Sequence, residues 1–405
     1  MHLSTRKGNH KSTMLGERVL ALDTSDADQW AEVLDEIGVY DTYHLPAYHR
    51  LAELNGEGKA VMLVYREHDC AIAFPMLIRN IEFVRINRSF SDFRDVTSVY
   101  GYPGPVASRR DISCDAKQRF AAVLQDYFEA NNIICAFTRL NPIIDNAYIL
   151  RGCGEIVDVG STVSVDLRMP SSLQYASYRR CHKRDIEALK DKGFICSEAG
   201  KEALDDFYRV YVETMERNNA DSYYRFDKSY FAYILNEMPN EAHLFICRKD
   251  NIIVSGMIAF ACNGIVHGHL GGTLNEYARL APMKLTYDGV RRWANALGAH
   301  TFHLGGGVAC REDSLLFYKR GFGNQEHTFS VWRLPVSPQV CDELYSEMCR
   351  VTQIVPKEQY FPPYRSPAFL KTLNPNSGEQ TEDSNYLGLR LHANAATGSQ
   401  HGEQT

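Results

Sequence analysis

Residues 60–78 read Ala60-Val-Met-Leu-Val-Tyr-Arg-Glu-His-Asp-Cys-Ala-Ile-Ala-Phe-Pro-Met-Leu-Ile78. Residues 242–260 read Ala242-His-Leu-Phe-Ile-Cys-Arg-Lys-Asp-Asn-Ile-Ile-Val-Ser-Gly-Met-Ile-Ala-Phe260. Each is an apolar run, a polar turn and a second apolar run, the pattern of a β-hairpin. The two align without a gap. Ala60 falls on Ala242 and Arg66 on Arg248, both 182 positions apart, and Tyr48 and Tyr230 in the preceding helical segments keep the same offset.

Working outward, each hairpin leads to a Gly-punctuated strand end, Val99-Tyr-Gly-Tyr-Pro-Gly-Pro-Val in one copy and His267-Gly-His-Leu-Gly-Gly-Thr in the other. Amphipathic helices follow over 117–131 (Phe120, Val123, Leu124, Tyr127, Phe128) and 284–297 (Leu285, Val290, Trp293, Leu297). Strands at 133–140 and 301–304 come next. Short helices then end in Arg151-Gly-Cys-Gly and Arg320-Gly-Phe-Gly, 169 positions apart, before final strands carrying Ser164-Val and Ser330-Val. One order of elements used twice predicts a duplication. The expected fold is α/β (α+β), two tandem domains with mixed central sheets packed side by side, over 19–167 and 168–335. An extension, 1–18, precedes them. Residues 336–370 are expected to pack back on the body through a helical piece and the aromatic stretch Tyr360-Phe-Pro-Pro-Tyr-Arg, and 371–405 reads as a disordered tail.

The 405 residues are 44% hydrophobic and 23% charged, with 44 Lys+Arg against 50 Asp+Glu. A net charge of −6 excludes a protein that coats nucleic acid indiscriminately but leaves room for a local basic patch. No apolar run approaches the ~20 residues of a membrane span. The N-terminus has no apolar core of a secretory signal. The 11 cysteines form no C-x-x-C pair and sit in apolar stretches, which fits reduced thiols in a cytoplasmic protein better than disulfides or zinc.

Three stretches carry candidate chemistry. The first is His303-Leu-Gly-Gly-Gly, followed by Tyr318-Lys319 on a short helix. Gly305, Gly306 and Gly307 let backbone approach a ligand closely, and Lys319 is a cation placed to meet developing negative charge. The unit-one copy has Leu150 where Lys319 stands, as if one copy kept a site and the other became scaffold. The second is the cluster Arg179, Arg180, Lys183 and Arg184 at a helix start, suited to phosphate binding, though it also reads as a solvated face balanced by Asp185, Glu187 and Asp191. The third runs from Asn218 into Tyr223 and Tyr224, a composition for a substrate-lining loop or for half-buried packing. Gly101, Tyr102 and Gly104 mark a strand exit where the first unit could meet ligand. His267, His269 and His303 lack a further cluster to complete a metal site, so no metal is expected. No G-x-S-x-G, P-loop or Rossmann pattern occurs.

Taken together, Tyr100-Gly-Tyr-Pro-Gly-Pro, the basic helix start at 179–186, Asn218-Asn-Ala through Tyr230-Phe, and His303-Leu-Gly-Gly-Gly through Tyr318-Lys319-Arg-Gly-Phe-Gly resemble the FemAB-type peptidyltransferases of the GNAT acyltransferase superfamily. The resemblance spans residues 19–335. It implies an enzyme that moves an aminoacyl group from aminoacyl-tRNA to an amine, on a peptidoglycan precursor or on a small-molecule, lipid-linked, nucleotide-linked or polysaccharide-pathway acceptor. It implies no bound cofactor. Tyr318 would stack on the tRNA end and Lys319 would hold the oxyanion. The long coiled-coil arm of bridge-forming members is missing, which leaves the acceptor open. The alternative donor is an acyl-CoA, against which 279–285 (Arg279-Leu-Ala-Pro-Met-Lys-Leu) offers no glycine loop for a pyrophosphate. A non-catalytic GNAT-like binding protein is the third reading.

Overall fold

The computed structural model describes residues 13–14, 18–67, 70–83, 88–357 and 360–373. The expected extension over 1–18 lies almost wholly outside these, as does the expected tail beyond Leu373. The first half contains β1 (Thr13–Met14), β2 (Val19–Asp23), α1 (Ala27–Ile37), α2 (Pro46–Leu54), β3 (Lys59–Glu67) and β4 (Cys70–Asn80). It continues with β5 (Arg94–Thr97), β6 (Val106–Ala107), α3 (Cys114–Ala130), β7 (Ile133–Arg139) and β8 (Glu155–Asp166). Two helices, α4 (Ser171–Ser177) and α5 (Arg180–Asp191), open the second half. Then come β9 (Phe194–Ala199), α6 (Leu204–Arg217), α7 (Lys228–Glu237), β10 (Ala242–Lys249), β11 (Ile252–Cys262) and β12 (Ile265–Thr273). The half closes with α8 (Met283–Ala296), β13 (Thr301–Gly306), α9 (Ser314–Lys319) and β14 (Gln325–Pro335). After it stand α10 (Pro338–Thr352) and α11 (Pro367–Leu373).

The quoted hairpins are β3–β4 and β10–β11. At their turns the registers match, Glu67 opposite Cys70 and Lys249 opposite Ile252. A bulge between Cys247 and Arg248 then shifts the second hairpin by one residue, so Ala60 faces Leu77 but Ala242 faces Phe260. Pro75 in β4 has no N–H to give. It sits in the gap between the short β6 pairing at Ile72–Ala73 and the β5 pairing that starts at Leu77, where no ladder bond is needed.

The two expected sheets are fused into one, in the order β1-β2-β3-β4-β5-β7-β14-β8-β13-β12-β11-β10-β9. The last strands are exchanged. β8 of the first half lies antiparallel against β13 of the second, β14 lies against β7, and β8 and β14 pair along the centre from Gln325–Ser164 to Arg333–Glu155. On one face α1, α2, α6 and α7 share a single core that includes Trp30, Tyr48, Phe207, Phe231 and Phe260. On the other, α3 covers the first half and α5 with α8 the second. α10 and α11 pack on β7 through Cys341, Leu344, Met348 and Phe369. The shared core brings the strand ends of both halves against one another, and this seam positions the site.

Candidate functional site

β13 turns at its end. A bulge displaces Leu304 from the β8 ladder, and Gly305 takes φ +76°, a left-handed conformation open to glycine at little cost. A Cβ at Gly305 would lie 3.2 Å from both Lys319 Nζ and Tyr102 Oη, so the missing side chain is what lets the two groups approach. Lys319 Nζ donates to the Gly306 carbonyl at 2.7 Å. Asp313 caps α9, accepting from Leu316 N at 2.9 Å and from Val308 N at 2.8 Å, which fixes the turn that carries the lysine. Burial pushes the Lys319 ammonium down to about 8, against the opposing pull of Asp313 and Cys310.

Behind the turn runs a chain of buried polar groups. Asp41, from the first half, accepts from Asn141 Nδ2 at 2.8 Å and meets His267 Nε2 at 2.7 Å. His267 and His303 are neighbours on the parallel strands β12 and β13, and their Nδ1 atoms are 3.0 Å apart. All three side chains are buried. Burial alone would raise the Asp41 carboxyl, but His267, His44 and Asn141 together hold it below its ordinary value. With Asp41 ionised, His267 Nε2–H donates to it, leaving His267 Nδ1 to accept from His303 Nδ1–H. His303 Nε2 is then a bare lone pair, buried and without a hydrogen-bond partner. Burial, with His267, His327 and Lys319 adding to it, holds His303 well below the usual imidazole range, so the ring is neutral. Tyr102 packs edge-on against His303 (4.8 Å between ring centroids) and parallel to His267 (6.1 Å).

The basic cluster lies against the lysine turn. His182 on α5 meets the Tyr318 carbonyl at 3.0 Å and Arg179 N donates to the Gly321 carbonyl at 2.8 Å. Arg179 Cζ sits 3.8 Å over the ring of Phe317, which is 62% exposed. Arg180 and Arg184 face solvent, Arg184 paired with Asp185, and Lys183 Nζ donates to the Ala176 carbonyl. Tyr318 itself is wedged among His182, Tyr287 and Phe322, its hydroxyl buried and unpartnered. The open aromatic face beside Lys319 is therefore that of Phe317. Tyr223 is buried and Tyr224 half-buried, both against Tyr100, whereas Asn218 ends α6 in solvent. The structure thus gathers Lys319, Tyr318, His303, Gly305, Gly306, Gly307, Tyr102 and the 179–184 cluster around one seam. Tyr223 and Tyr224 reach it through Tyr100, and Asn218 does not reach it. Sequence reading missed Asp41, Asn141, Phe317 and the role open to His267, which it had weighed only as a metal ligand. Among the described residues no group of three His, Cys, Asp or Glu side chains is placed to hold a metal ion, and no helix is long and apolar enough to cross a membrane.

Residues 176–320, the stretch holding the basic helix, β12, the histidines and the lysine turn, match the acetyltransferase (GNAT) domain family. The second half is thus similar to a GNAT acetyltransferase domain over that stretch. More broadly, the chain is similar to the crystal structure of FemX, with a TM-score of 0.59 at 13% identity, covering 80% of this chain and 99% of that one. The FemAB-like GNAT fold read from the motifs is therefore the fold observed. L-PGS from Bacillus licheniformis (14% identity, 79% of this chain and 94% of that one, TM-score 0.47) is similar. So is a tandem GNAT protein of the clavulanic acid biosynthesis pathway (9%, 78% and 98%, 0.43). Comparison with curated proteins gives no sequence match.

A pyrophosphate needs free amides at a helix N-terminus, and the stretch weighed for one in the sequence, 279–285, opens α8. In this chain the amides of Lys284, Leu285 and Thr286 are engaged. Lys284 N donates to the Ala281 carbonyl, and Leu285 N and Thr286 N donate to that of Pro282, which has no N–H of its own. The Lys284 ammonium is tied to Asp185 of α5 at 2.6 Å, so a carboxylate already stands beside that helix end.

Proposed function

We propose that this acyltransferase moves an aminoacyl group from the 3′ end of an aminoacyl-tRNA to an amine. The observation that carries the choice of donor is the occupied α8 N-terminus, which disfavours a coenzyme A pyrophosphate. The face offered instead is Phe317 stacked with Arg179, flanked by Arg180, Lys183 and Arg184, a surface suited to a terminal base and its phosphates. On this reading the second half is the donor side, the first half supplies the acceptor side, and the work is done in the cytoplasm, where charged tRNA is made.

The residues then divide the chemistry. His303 Nε2 takes a proton from the acceptor amine, and the charge passes along the hydrogen bond to His267, which Asp41 stabilises as an imidazolium. The amine nitrogen forms a bond to the ester carbonyl carbon. Lys319 holds the resulting oxyanion at the glycine turn. Collapse breaks the carbon–oxygen ester bond, and the proton held by the histidines goes to the departing 3′-oxygen. The peptidoglycan-precursor amine and the small-molecule or polysaccharide-pathway amine are the two acceptor classes to test.

The decisive experiment incubates purified protein with radiolabelled aminoacyl-tRNA pools or with acetyl-CoA, each with candidate amines. Transfer from tRNA alone is the expected result. Transfer from acetyl-CoA alone sinks the reading and returns the acyl-CoA alternative, and transfer from neither favours a binding protein.

A further inference from the structure

Several buried polar atoms without partners gather where the end of β7 meets the 218–230 segment of the second half: Arg139 Nη1, Glu57 Oε2, Tyr48 Oη, Tyr223 Oη and both ring nitrogens of His269. Arg139 is the outlier in kind. It is 8% exposed, yet among the described residues no carboxylate lies within ion-pair distance of its guanidinium. Its Cζ stands 5.9 Å from the centre of the Tyr100 ring, and Tyr100 in turn touches Tyr223 (5.9 Å), Tyr224 (5.9 Å) and His269 (5.7 Å). A buried guanidinium is costly unless an anion meets it. The carboxyl in its neighbourhood, Glu57, makes no ion pair with it and bonds Asn55 instead. Burial pushes Glu57 up to about 7, with Asn55, Arg139 and Arg79 pulling it back only in part.

We infer that Arg139 binds the carboxylate of the acceptor substrate, so that the acceptor is a small amine that also carries a carboxylate. The inference rests on the acyl-transfer reading above for the word acceptor, but the binding site stands on its own geometry. Placement supports it: Asn141, two residues after Arg139, holds both Asp41 Oδ2 and the Tyr102 carbonyl, at 2.8 Å each. An acid held at Arg139 therefore leaves the rest of its molecule next to the proton path that ends at His303. One guanidinium with surrounding tyrosines matches one negative charge. A phosphate dianion would need a second cation, and Arg79, the other one that acts on Glu57, is committed to Asp95 at 2.7 Å. The donor face lies apart, on Phe317 and Arg179.

The test is equilibrium binding by calorimetry with no acyl donor present, using hexanoate, 6-aminohexanoate, triglycine, hexylamine and inorganic phosphate as probes. Hexanoate and 6-aminohexanoate are expected to bind and hexylamine to fail. Triglycine binding as well would extend the site to peptide C-termini, and its failure would confine the site to free acids. Arg139→Lys should weaken carboxylate binding at least tenfold, and Arg139→Met should remove it. Arg139→Met should also keep or raise Tm, because it deletes an unpaired buried charge; a large fall in Tm would mean that the guanidinium is a structural partner and overturn the inference. So would carboxylates that fail to bind wild type at millimolar concentration, unchanged binding to Arg139→Lys, or phosphate binding more tightly than any carboxylate. Because no donor is present, these results stand whether or not acyl transfer is found. Conversely, transfer to amines with an unchanged KM in Arg139→Lys would dismiss this site and leave the acyl-transfer reading intact.

Discussion

The two halves use one frame for opposite ends. Cys135 is the third residue of β7 and His303 the third of β13. In the second half, His303 and its strand neighbour His267 run to Asp41 and end at a bare nitrogen beside a lysine. In the first half, Cys135 Sγ lies 2.7 Å from Cys341 Sγ of α10, and its strand neighbour Asp95 is held by Arg79 at 2.7 Å, by Tyr364 Oη at 3.1 Å and by Arg365. The same contrast recurs at the turn after the strand, where Leu150 is fully buried and Lys319 stands half-buried among polar groups. Buried polarity around Asp95 fastens the C-terminal segment. Around His303, as around Arg139, it leaves donors and acceptors unfinished, and unfinished polar groups in a buried seam are where a substrate belongs.

The comparison breaks most sharply at the turn. Lys319→Ala should lower kcat by about two to three orders of magnitude with little change in stability, as loss of an oxyanion-holding group does. Leu150→Ala should do the reverse, costing about 2–5 kcal/mol of stability and leaving kcat of the folded protein unchanged. Parallel kcat and urea-unfolding measurements check the pair; a Lys319→Ala enzyme within a fewfold of wild type removes the lysine from the mechanism. Asp95→Asn probes the fastening. It strands Arg79 and Arg365 as buried cations, so stability should fall by about 3–5 kcal/mol while activity per folded molecule holds. A smaller loss, about a hundredfold in kcat, is expected for His303→Ala at constant KM for the donor, in line with removal of a general base. An unchanged kcat would leave the histidine chain as a structural network like that around Asp95.

The duplication was legible because hairpins announce themselves by period and turn, and a gapless offset of 182 needs no three-dimensional information. The asymmetry between Lys319 and Leu150, also visible in the sequence, is what singles out the lysine as a candidate. What stayed hidden depends on contacts across the fusion of the halves. The exchange of β8 and β14 alters no local pattern, since each strand keeps its composition whichever neighbour it takes. Asp41 is separated from His267 by 226 positions and carries no motif. His267 and His303 stand out in sequence only as strand histidines, and it is the parallel register of β12 on β13 that sets them side by side. The resemblance implies Tyr318 as the stacking ring, but consecutive positions on α9 point about 100° apart, which turns Tyr318 inward and presents Phe317.

The finest test of the contrast is pH, because the second half has a titrating group where the first has Leu150. Burial brings the Lys319 ammonium down to about 8. The role proposed for it requires the charged form, which is present below that value and lost as pH rises through it, so kcat should fall up to tenfold for each unit above pH 8. In the proposed mechanism His303 acts in its neutral form, and burial holds it well below the ordinary imidazole value, so no acid limb should stand near pH 6.5. The acceptor amine becomes less protonated as pH rises, an opposing trend that enters through binding, so the profile must be taken at saturating acceptor. Lys319→Arg keeps a cation that does not titrate in this range and should carry the alkaline limb beyond pH 9, on a lower plateau set by its different geometry. An alkaline limb that persists in Lys319→Arg belongs to another group. A wild-type kcat that stays flat to pH 9.5 would mean that the lysine charge is not what stabilises the transition state.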